Sequence, residues 1–176
     1  MQNTLIQNSS LGCSGLTESE IFPGVAPPPT IVVFDMDNTL LAFDTDKFTV
    51  RPHAVDVILE LWAIPHVYVV LWSAGSKDYV DNMVDVVLLP AIQAKNPLFW
   101  FSNILTYEET DCGMKDLNKV CKMYEVPRDN VVLVDDSIAQ CSVNISNGFQ
   151  AIMVPPYDPK NKEDQSLLGI REKIHI

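Results

Sequence analysis

The chain has 176 residues, of which 47% are hydrophobic and 20% are charged, and these values are ordinary for one globular domain. Its net charge of −11 argues against general affinity for nucleic acid or anionic membranes, but it is compatible with divalent cations and basic partners. No apolar run has the length of a membrane span, and no signal peptide is evident. The four scattered cysteines indicate reduced thiols in an intracellular protein, either cytoplasmic or nuclear.

We expect three regions along the chain. Residues 1–29 are rich in Ser, Asn, Gly and Pro and are predicted to form a flexible arm, with one short helix after a capping box at residues 17–20. Residues 30–157 are predicted to form the main domain, and residues 158–176 to form a tail that packs on it. The sequence gives no indication of the oligomeric state.

From residue 31 onward, the patterns of strands and helices alternate. Short apolar runs predict strands at residues 31–34, 66–72, 98–101, 130–134 and 150–154. Helical spacing of apolar residues follows Pro52, Gly75, Lys115 and Ser137, and Pro90 is predicted to end the second helix. Residues 43–50 are predicted to be a short polar connection. The alternation predicts an α/β fold, a Rossmann-like three-layer α/β/α sandwich with a mainly parallel central sheet.

Polar residues directly follow three of the predicted strands. They are Asp35 and Asp37, then Ser73, then Asp135 and Asp136. Because the carboxyl ends of parallel strands meet at one edge of a sheet, we expect these residues to lie in one crevice. Lys115 opens a helix, where the helix dipole disfavours a cation, and this departure from local preference suggests a function. The alternative for the first pair is that the two aspartates only cap a turn or helix.

The crevice would combine four aspartates with one lysine. Two carboxylates ~4 Å apart repel by roughly 4 kcal/mol at an effective dielectric near 20, so the cluster would protonate in part or bind a cation. Oxygen ligands without neighbouring His or Cys favour Mg²⁺ over zinc. Together with a hydroxyl and a free carboxylate, such a group could hold a phosphoryl group for in-line attack. A second aspartate could protonate the leaving oxygen and then deprotonate water.

The chain resembles the haloacid dehalogenase-like (HAD) hydrolase superfamily, whose four motifs occur here in order. They are D-x-D-x-T, a Ser at a strand end, a Lys and D-D. The resemblance implies a HAD-like fold in which Asp35 is the nucleophile that forms an aspartyl-phosphate and Asp37 is the general acid and base. It implies phosphate binding by Thr39, Ser73, Ala74 and Lys115. It implies Mg²⁺ binding by Asp35, by the backbone carbonyl of Asp37 and by Asp136, with Asp135 either assisting or orienting Lys115.

Three segments resemble the carboxy-terminal-domain phosphatase branch of the superfamily, called FCP/SCP-like or NIF-like. They are R-P-H from residue 51, W-S-A-G-S-K-D-Y-V from residue 72 and K-D-L from residue 115. That branch usually carries an inserted β-element after the first motif and basic residues before the lysine. Here residues 41–50 are too short for the insertion, and Glu108, Glu109 and Asp111 replace the basic residues. These departures weaken the case for a polymerase-tail substrate, and no segment is long enough for a cap domain.

We therefore expect a phosphoric monoester hydrolase that needs Mg²⁺ and acts on a phosphorylated protein or peptide, at Ser/Thr or Tyr, with basic flanks. Two alternatives stay open: a small-metabolite phosphatase of the magnesium-dependent phosphatase type, and a non-catalytic phosphate-binding scaffold. Dehalogenation is disfavoured because it needs no second aspartate. A receiver-like phosphoacceptor is disfavoured because its acidic pair would lie on the first strand. We expect no nucleic-acid or membrane partner.

Overall fold

A computed structural model describes residues 28–174. The predicted capping box and almost all of the predicted arm lie outside these residues. The strands are β1 (Thr30–Phe34), β2 (Leu41–Asp44), β3 (Lys47–Val50), β4 (Val67–Trp72), β5 (Asn103–Leu105), β6 (Val131–Asp135) and β7 (Gln150–Met153). The α-helices are α1 (Ala54–Trp62), α2 (Lys77–Met83), α3 (Leu89–Gln93), α4 (Asn118–Tyr124), α5 (Ile138–Ser146) and α6 (Ile170–Lys173). No helix among residues 28–174 has the length and apolar character needed to cross a bilayer.

Five of the strands form one parallel sheet in the order β5-β4-β1-β6-β7. The central strand β1 is buried along its whole length, as its continuous apolar run predicts. Phe34 is in register with Leu71 on β4 and with Val134 on β6. The polar residues that follow these three strands therefore lie at the same edge of the sheet, which is what the sequence predicts.

The sheet is covered on both faces. Side chains alternate along β1, so Val32 and Phe34 belong to one buried apolar cluster, and Ile31 and Val33 belong to another. The first cluster includes residues of α1 and α6, and the second includes residues of α4. The predicted three-layer α/β/α sandwich with a parallel sheet is confirmed.

Residues 43–50, predicted to be a polar connection, instead belong to an antiparallel hairpin of β2 and β3. Phe43 pairs with Phe48 across the hairpin, and their rings meet edge to face at 5.1 Å. Thr45 adopts the left-handed conformation in the turn. The prediction was wrong because the cross-strand aromatic pair, rather than an apolar period, stabilises this short element.

Two further predictions were wrong. Pro90 does not end the second helix, because a π-helical segment (Val84–Leu88) leads into α3, and Pro90 lies in the first turn of α3, where no backbone N–H is needed. Residues 98–101 are not a strand, and β5 begins later, at Asn103. Side chains of residues 98–101 do alternate between core and solvent, since Phe99 is buried and Trp100 is 63% exposed. The segment packs on the core without joining the sheet.

Arg51 joins the C-terminal tail to the loop that follows β1. It is 1% exposed, and its guanidinium donates hydrogen bonds of 3.0 and 3.1 Å to the two carboxylate oxygens of Asp164. The same group donates to the backbone carbonyls of Thr39 (3.2 Å) and Pro155 (2.9 Å). A buried guanidinium with this many acceptors fixes both segments, and removal of its counter-charge would be costly.

Replacement of Asp164 by Asn should lower stability mainly near neutral pH. Burial alone would raise the pKa of Asp164, but hydrogen bonds from Arg51 and Ser166 outweigh it and lower the pKa. A carboxyl group whose pKa is lowered by folding stabilises the native state above its unfolded pKa, about 4, and loses that contribution as the pH falls further. Urea denaturation should show a loss of about 3–5 kcal/mol near pH 7, which shrinks in acid.

The matched control is Asp56→Asn. Asp56 pairs with Lys95 at 2.5 Å, but both side chains are half exposed, so water screens the interaction. This variant should change stability little at either pH. An equal loss in the two variants near pH 7 would contradict the role given to the Arg51–Asp164 pair.

Candidate active site

The loop after β1 brings two aspartates back towards one crevice. Asp35 is 7% exposed and directly follows the last residue of β1. The loop closes through a hydrogen bond of 2.9 Å from the Leu40 N–H to the Met36 carbonyl. Asn38 adopts the left-handed conformation, which asparagine tolerates better than most residues. This tight turn places Asp37 beside the carboxyl ends of the neighbouring strands.

Lys115 lies between two buried carboxylates. Its Nζ donates hydrogen bonds of 2.5 Å to Asp35 Oδ1 and 2.6 Å to Asp135 Oδ2. Burial would lower the pKa of Lys115, but the charges of the two aspartates outweigh it and raise the pKa, so the lysine stays positively charged. For Asp35, burial is the largest effect and Asp135 adds to it, and Lys115 only partly opposes them, so the pKa rises to about 7.

Three carboxylates form a group that could hold a cation. Asp35, Asp135 and Asp136 each offer one oxygen within 4.8 Å of the others. Both oxygens of Asp135 already have hydrogen-bond donors, since Oδ1 accepts a hydrogen bond of 2.8 Å from the Ser137 N–H and Oδ2 accepts one from Lys115. In contrast, Asp35 Oδ2 is buried and has no hydrogen-bond partner among the described residues. Carboxylate oxygens gathered this closely are the donor set that suits Mg²⁺.

Thr39 connects the loop after β1 to the end of β6. Its fully buried hydroxyl accepts a hydrogen bond of 3.1 Å from the Asp136 N–H and lies 3.4 Å from Asp136 Oδ1. Burial, together with the charge of Asp135, raises the pKa of Asp136. The hydroxyl therefore holds Asp136 at the rim of the carboxylate group.

Asp37 has different partners. Its Oδ2 accepts a hydrogen bond of 3.2 Å from the buried Ser73 hydroxyl, and its Oδ1 accepts one from the Tyr79 hydroxyl. The Gly75 N–H in turn donates to Ser73 Oγ at 3.0 Å. Ala74, between these two residues, is exposed. The loop after β4 thus places a hydroxyl against the second aspartate of the first motif.

The structure brings the predicted site residues to one edge of the sheet in two adjoining groups. Asp35, Lys115, Asp135 and Asp136 form the first group. Asp37 and Ser73 form the second, with Ala74 exposed beside them. Thr39 lies behind the first group, on Asp136.

Two residues that the sequence reasoning missed hold the backbone around Lys115. Gln140 accepts a hydrogen bond of 2.9 Å from the Lys115 N–H and donates one of 2.8 Å to the Gly113 carbonyl. Asn144, one turn later on α5, donates one of 2.9 Å to the Lys115 carbonyl. Both side chains are buried. The available signal was a pair of amides at i and i+4 on the face of α5 that also carries the buried Cys141.

A model of the NLI interacting factor-like phosphatase family matches residues 30–175. The chain belongs to this family. A 62-residue segment is 39% identical to an uncharacterized 41.0 kDa protein of Cryptophlebia leucotreta granulosis virus. The match covers 35% of this chain and 18% of the viral protein. The assignment confirms the predicted resemblance to the NIF-like phosphatases.

The same fold is found in solved structures of low sequence identity. A hydrolase from Pseudomonas syringae is 14% identical, with a TM-score of 0.56, over 84% of this chain and 100% of that one. The phosphate complex of CbbY from Rhodobacter sphaeroides is 12% identical, with a TM-score of 0.55, over 73% and 87%. A fission yeast Fcp1 variant bound to beryllium fluoride is 14% identical, with a TM-score of 0.50. That match covers 74% of this chain but only 42% of Fcp1.

Replacement of Lys115 by Met should raise the pKa of Asp35 further. Lys115 is the cation that lowers this pKa against burial and against Asp135, so its removal leaves both effects unopposed. The measurement is a carboxyl ¹³C NMR titration in metal-free buffer. Lys95→Met removes an exposed lysine and should leave the titration of Asp35 unchanged. An unchanged or lower pKa in Lys115→Met would show that the lysine does not control Asp35.

Proposed function

We propose that this chain hydrolyses phosphomonoesters through a covalent aspartyl-phosphate on Asp35. The observation that carries the proposal is the difference between the two oxygens of that side chain. Oδ1 is held by Lys115 at 2.5 Å, and Oδ2 is buried without a partner among the described residues. A carboxylate fixed through one oxygen and bare on the other is suited to act as a nucleophile.

The first step transfers the phosphoryl group to the enzyme. Asp35 Oδ2 forms a bond to phosphorus as the bond from phosphorus to the leaving oxygen breaks, and Asp37 gives its proton to that oxygen. Water then attacks the phosphorus, Asp37 takes its proton, and the bond to Asp35 breaks to release inorganic phosphate. Lys115 offsets the charge of the phosphoryl oxygens.

The remaining predicted ligands complete this proposal. The Ser73 hydroxyl and the Ala74 N–H would orient the phosphate. Thr39, predicted to bind phosphate, would act partly through Asp136, since its hydroxyl lies there.

Mg²⁺ fits the carboxylate group, and its proposed ligands are Asp35, Asp136 and the backbone carbonyl of Asp37. When bound, it would neutralise negative charge on the phosphoryl group. We assign Asp135 to the orientation of Lys115 rather than to the metal, because both of its oxygens already accept hydrogen bonds.

We propose a phosphorylated protein or peptide with basic flanks as the substrate. The β2–β3 hairpin is too small to form a cap, so a phosphate on a macromolecular surface could enter. Glu108 is exposed on the segment after β5. The neighbouring Tyr107 N–H donates a hydrogen bond of 2.9 Å to the Gly75 carbonyl, so the negative charge of Glu108 lies beside the loop after β4 that is proposed to bind phosphate. Fcp1, which shares this fold, is an RNA polymerase II carboxy-terminal-domain phosphatase.

The Asp35→Asn variant should lose the activity. We expect purified protein to hydrolyse an aryl phosphate with Mg²⁺, and the substitution to lower kcat by at least about 1,000-fold, because an amide oxygen is a poor nucleophile. The matched control is Asp44→Asn on the hairpin, which should stay within about threefold of wild type. Hydrolysis that persists in Asp35→Asn would exclude Asp35 as the nucleophile.

A substrate panel separates the remaining alternatives. Phosphopeptides with basic flanks should be hydrolysed with a higher kcat/KM than peptides with acidic flanks or small phosphorylated metabolites. Preference for a metabolite would favour the metabolite phosphatase. Stable binding of a phosphopeptide without turnover would favour the scaffold.

Mg²⁺ should raise the melting temperature of the wild-type protein and EDTA should reverse the rise, since a ligand that binds only the native state stabilises it. The Asp136→Asn variant should show a smaller rise, because it loses one proposed ligand oxygen. The exposed Asp111→Asn should respond as wild type does. Equal shifts in all three proteins would indicate that the cation binds elsewhere.

A further inference from the structure

Tyr79 makes a direct contact with the proposed proton donor but has no role in the mechanism described above. Its hydroxyl donates a hydrogen bond to Asp37 Oδ1, and the other oxygen, Oδ2, accepts from Ser73 at 3.2 Å. Both oxygens of Asp37 are therefore held. Ser73 is also assigned to the phosphate, whereas the described residues give the Tyr79 hydroxyl no task except its contact with Asp37.

The ring of Tyr79 is fixed by two other segments. A Cβ atom at residue 75 would lie 2.7 Å from Tyr79 Cδ1, so the ring occupies space that only a glycine leaves open. The ring of Phe48, on the hairpin, lies 6.2 Å away, and Phe43 packs on Phe48 in turn. The hydroxyl therefore stays on Asp37 without depending on a mobile side chain.

We propose that Tyr79 is a positioning residue that assigns the two oxygens of Asp37 to different tasks, an inference that rests on the proposed function. The phenol hydrogen bond occupies Oδ1 of Asp37. The other oxygen, Oδ2, lies against the Ser73 hydroxyl, which is proposed to orient the phosphate, so Oδ2 is the oxygen placed beside the reacting groups. The phenol contact also fixes the rotation of the carboxyl group.

This arrangement gives Oδ2 both proton transfers. In the first step, the proton passes from Oδ2 to the leaving oxygen as the bond from phosphorus to that oxygen breaks. In the second, Oδ2 takes a proton from the water that attacks the aspartyl-phosphate. Tyr79 gives up no proton in either step.

The test compares leaving groups in Tyr79→Phe, which removes the hydroxyl and keeps the ring. An alkyl phosphate needs its leaving oxygen protonated, whereas 2,4-dinitrophenol departs as an anion. We expect kcat/KM to fall roughly 10- to 100-fold for phosphoserine in a peptide, but by less than about threefold for 2,4-dinitrophenyl phosphate. The parameter kcat/KM reports the steps up to phosphoryl transfer.

Two variants serve as controls. Tyr68→Phe removes the hydroxyl of a tyrosine that stacks on Tyr124 at 5.8 Å, and both substrates should react as in wild type. Phe48→Leu loosens the packing of the Tyr79 ring and retains its hydroxyl, so it should slow the alkyl substrate by a smaller factor than Tyr79→Phe. This second variant keeps the inference testable if Tyr79→Phe does not fold.

Each outcome discriminates. Equal slowing of both substrates in Tyr79→Phe, or no slowing, overturns the role of Tyr79 and leaves the proposed function standing. The same holds if Phe48→Leu slows both substrates equally. Absence of turnover by the wild-type protein with either substrate rejects the proposed function, and the role of Tyr79 with it.

Discussion

The contact of one buried ammonium with two carboxylates is the constraint on which this edge of the sheet depends. Phe34 pairs with Val134 in the parallel register, so Asp35 and Asp135 follow at equivalent positions and would repel each other. Lys115 offsets that repulsion with hydrogen bonds to both. Removal of any one of the three side chains would leave an unpaired buried charge, so each of them depends on the other two.

The lysine can do this only because its backbone is fixed. The prediction that Lys115 opens a helix was wrong, since Lys115 precedes α4 and lies outside the strands and helices, with 2% exposure. The amides of Gln140 and Asn144 hold its backbone, since they satisfy the Lys115 N–H and carbonyl. Because α5 starts directly after Ser137, the element that follows Asp135 also positions the cation that Asp135 binds.

The parts of the site that could be predicted from sequence are those signalled by neighbouring residues in the chain. Asp35, Ser73 and Asp135 stand where apolar runs end, so their shared edge followed from the parallel sheet. The hairpin could not be predicted in this way, since the Phe43–Phe48 contact forms across strands and leaves no apolar period. Likewise, Tyr79 meets Asp37 across 42 positions, and Gln140 meets Lys115 across 25. Such partners become visible only when the fold is known.

The contrast between Asp35 and Asp37 explains how one loop could supply both proposed chemical roles. A nucleophile must be ionised when it attacks, and a contact with a cation favours the ionised form. Lys115 makes that contact with Asp35 and opposes the rise in its pKa that burial and Asp135 cause. A group that gives and regains a proton must reach both states, and its partners here are the neutral hydroxyls of Ser73 and Tyr79. The type of hydrogen-bond donor, more than the carboxyl group itself, therefore separates the two proposed tasks.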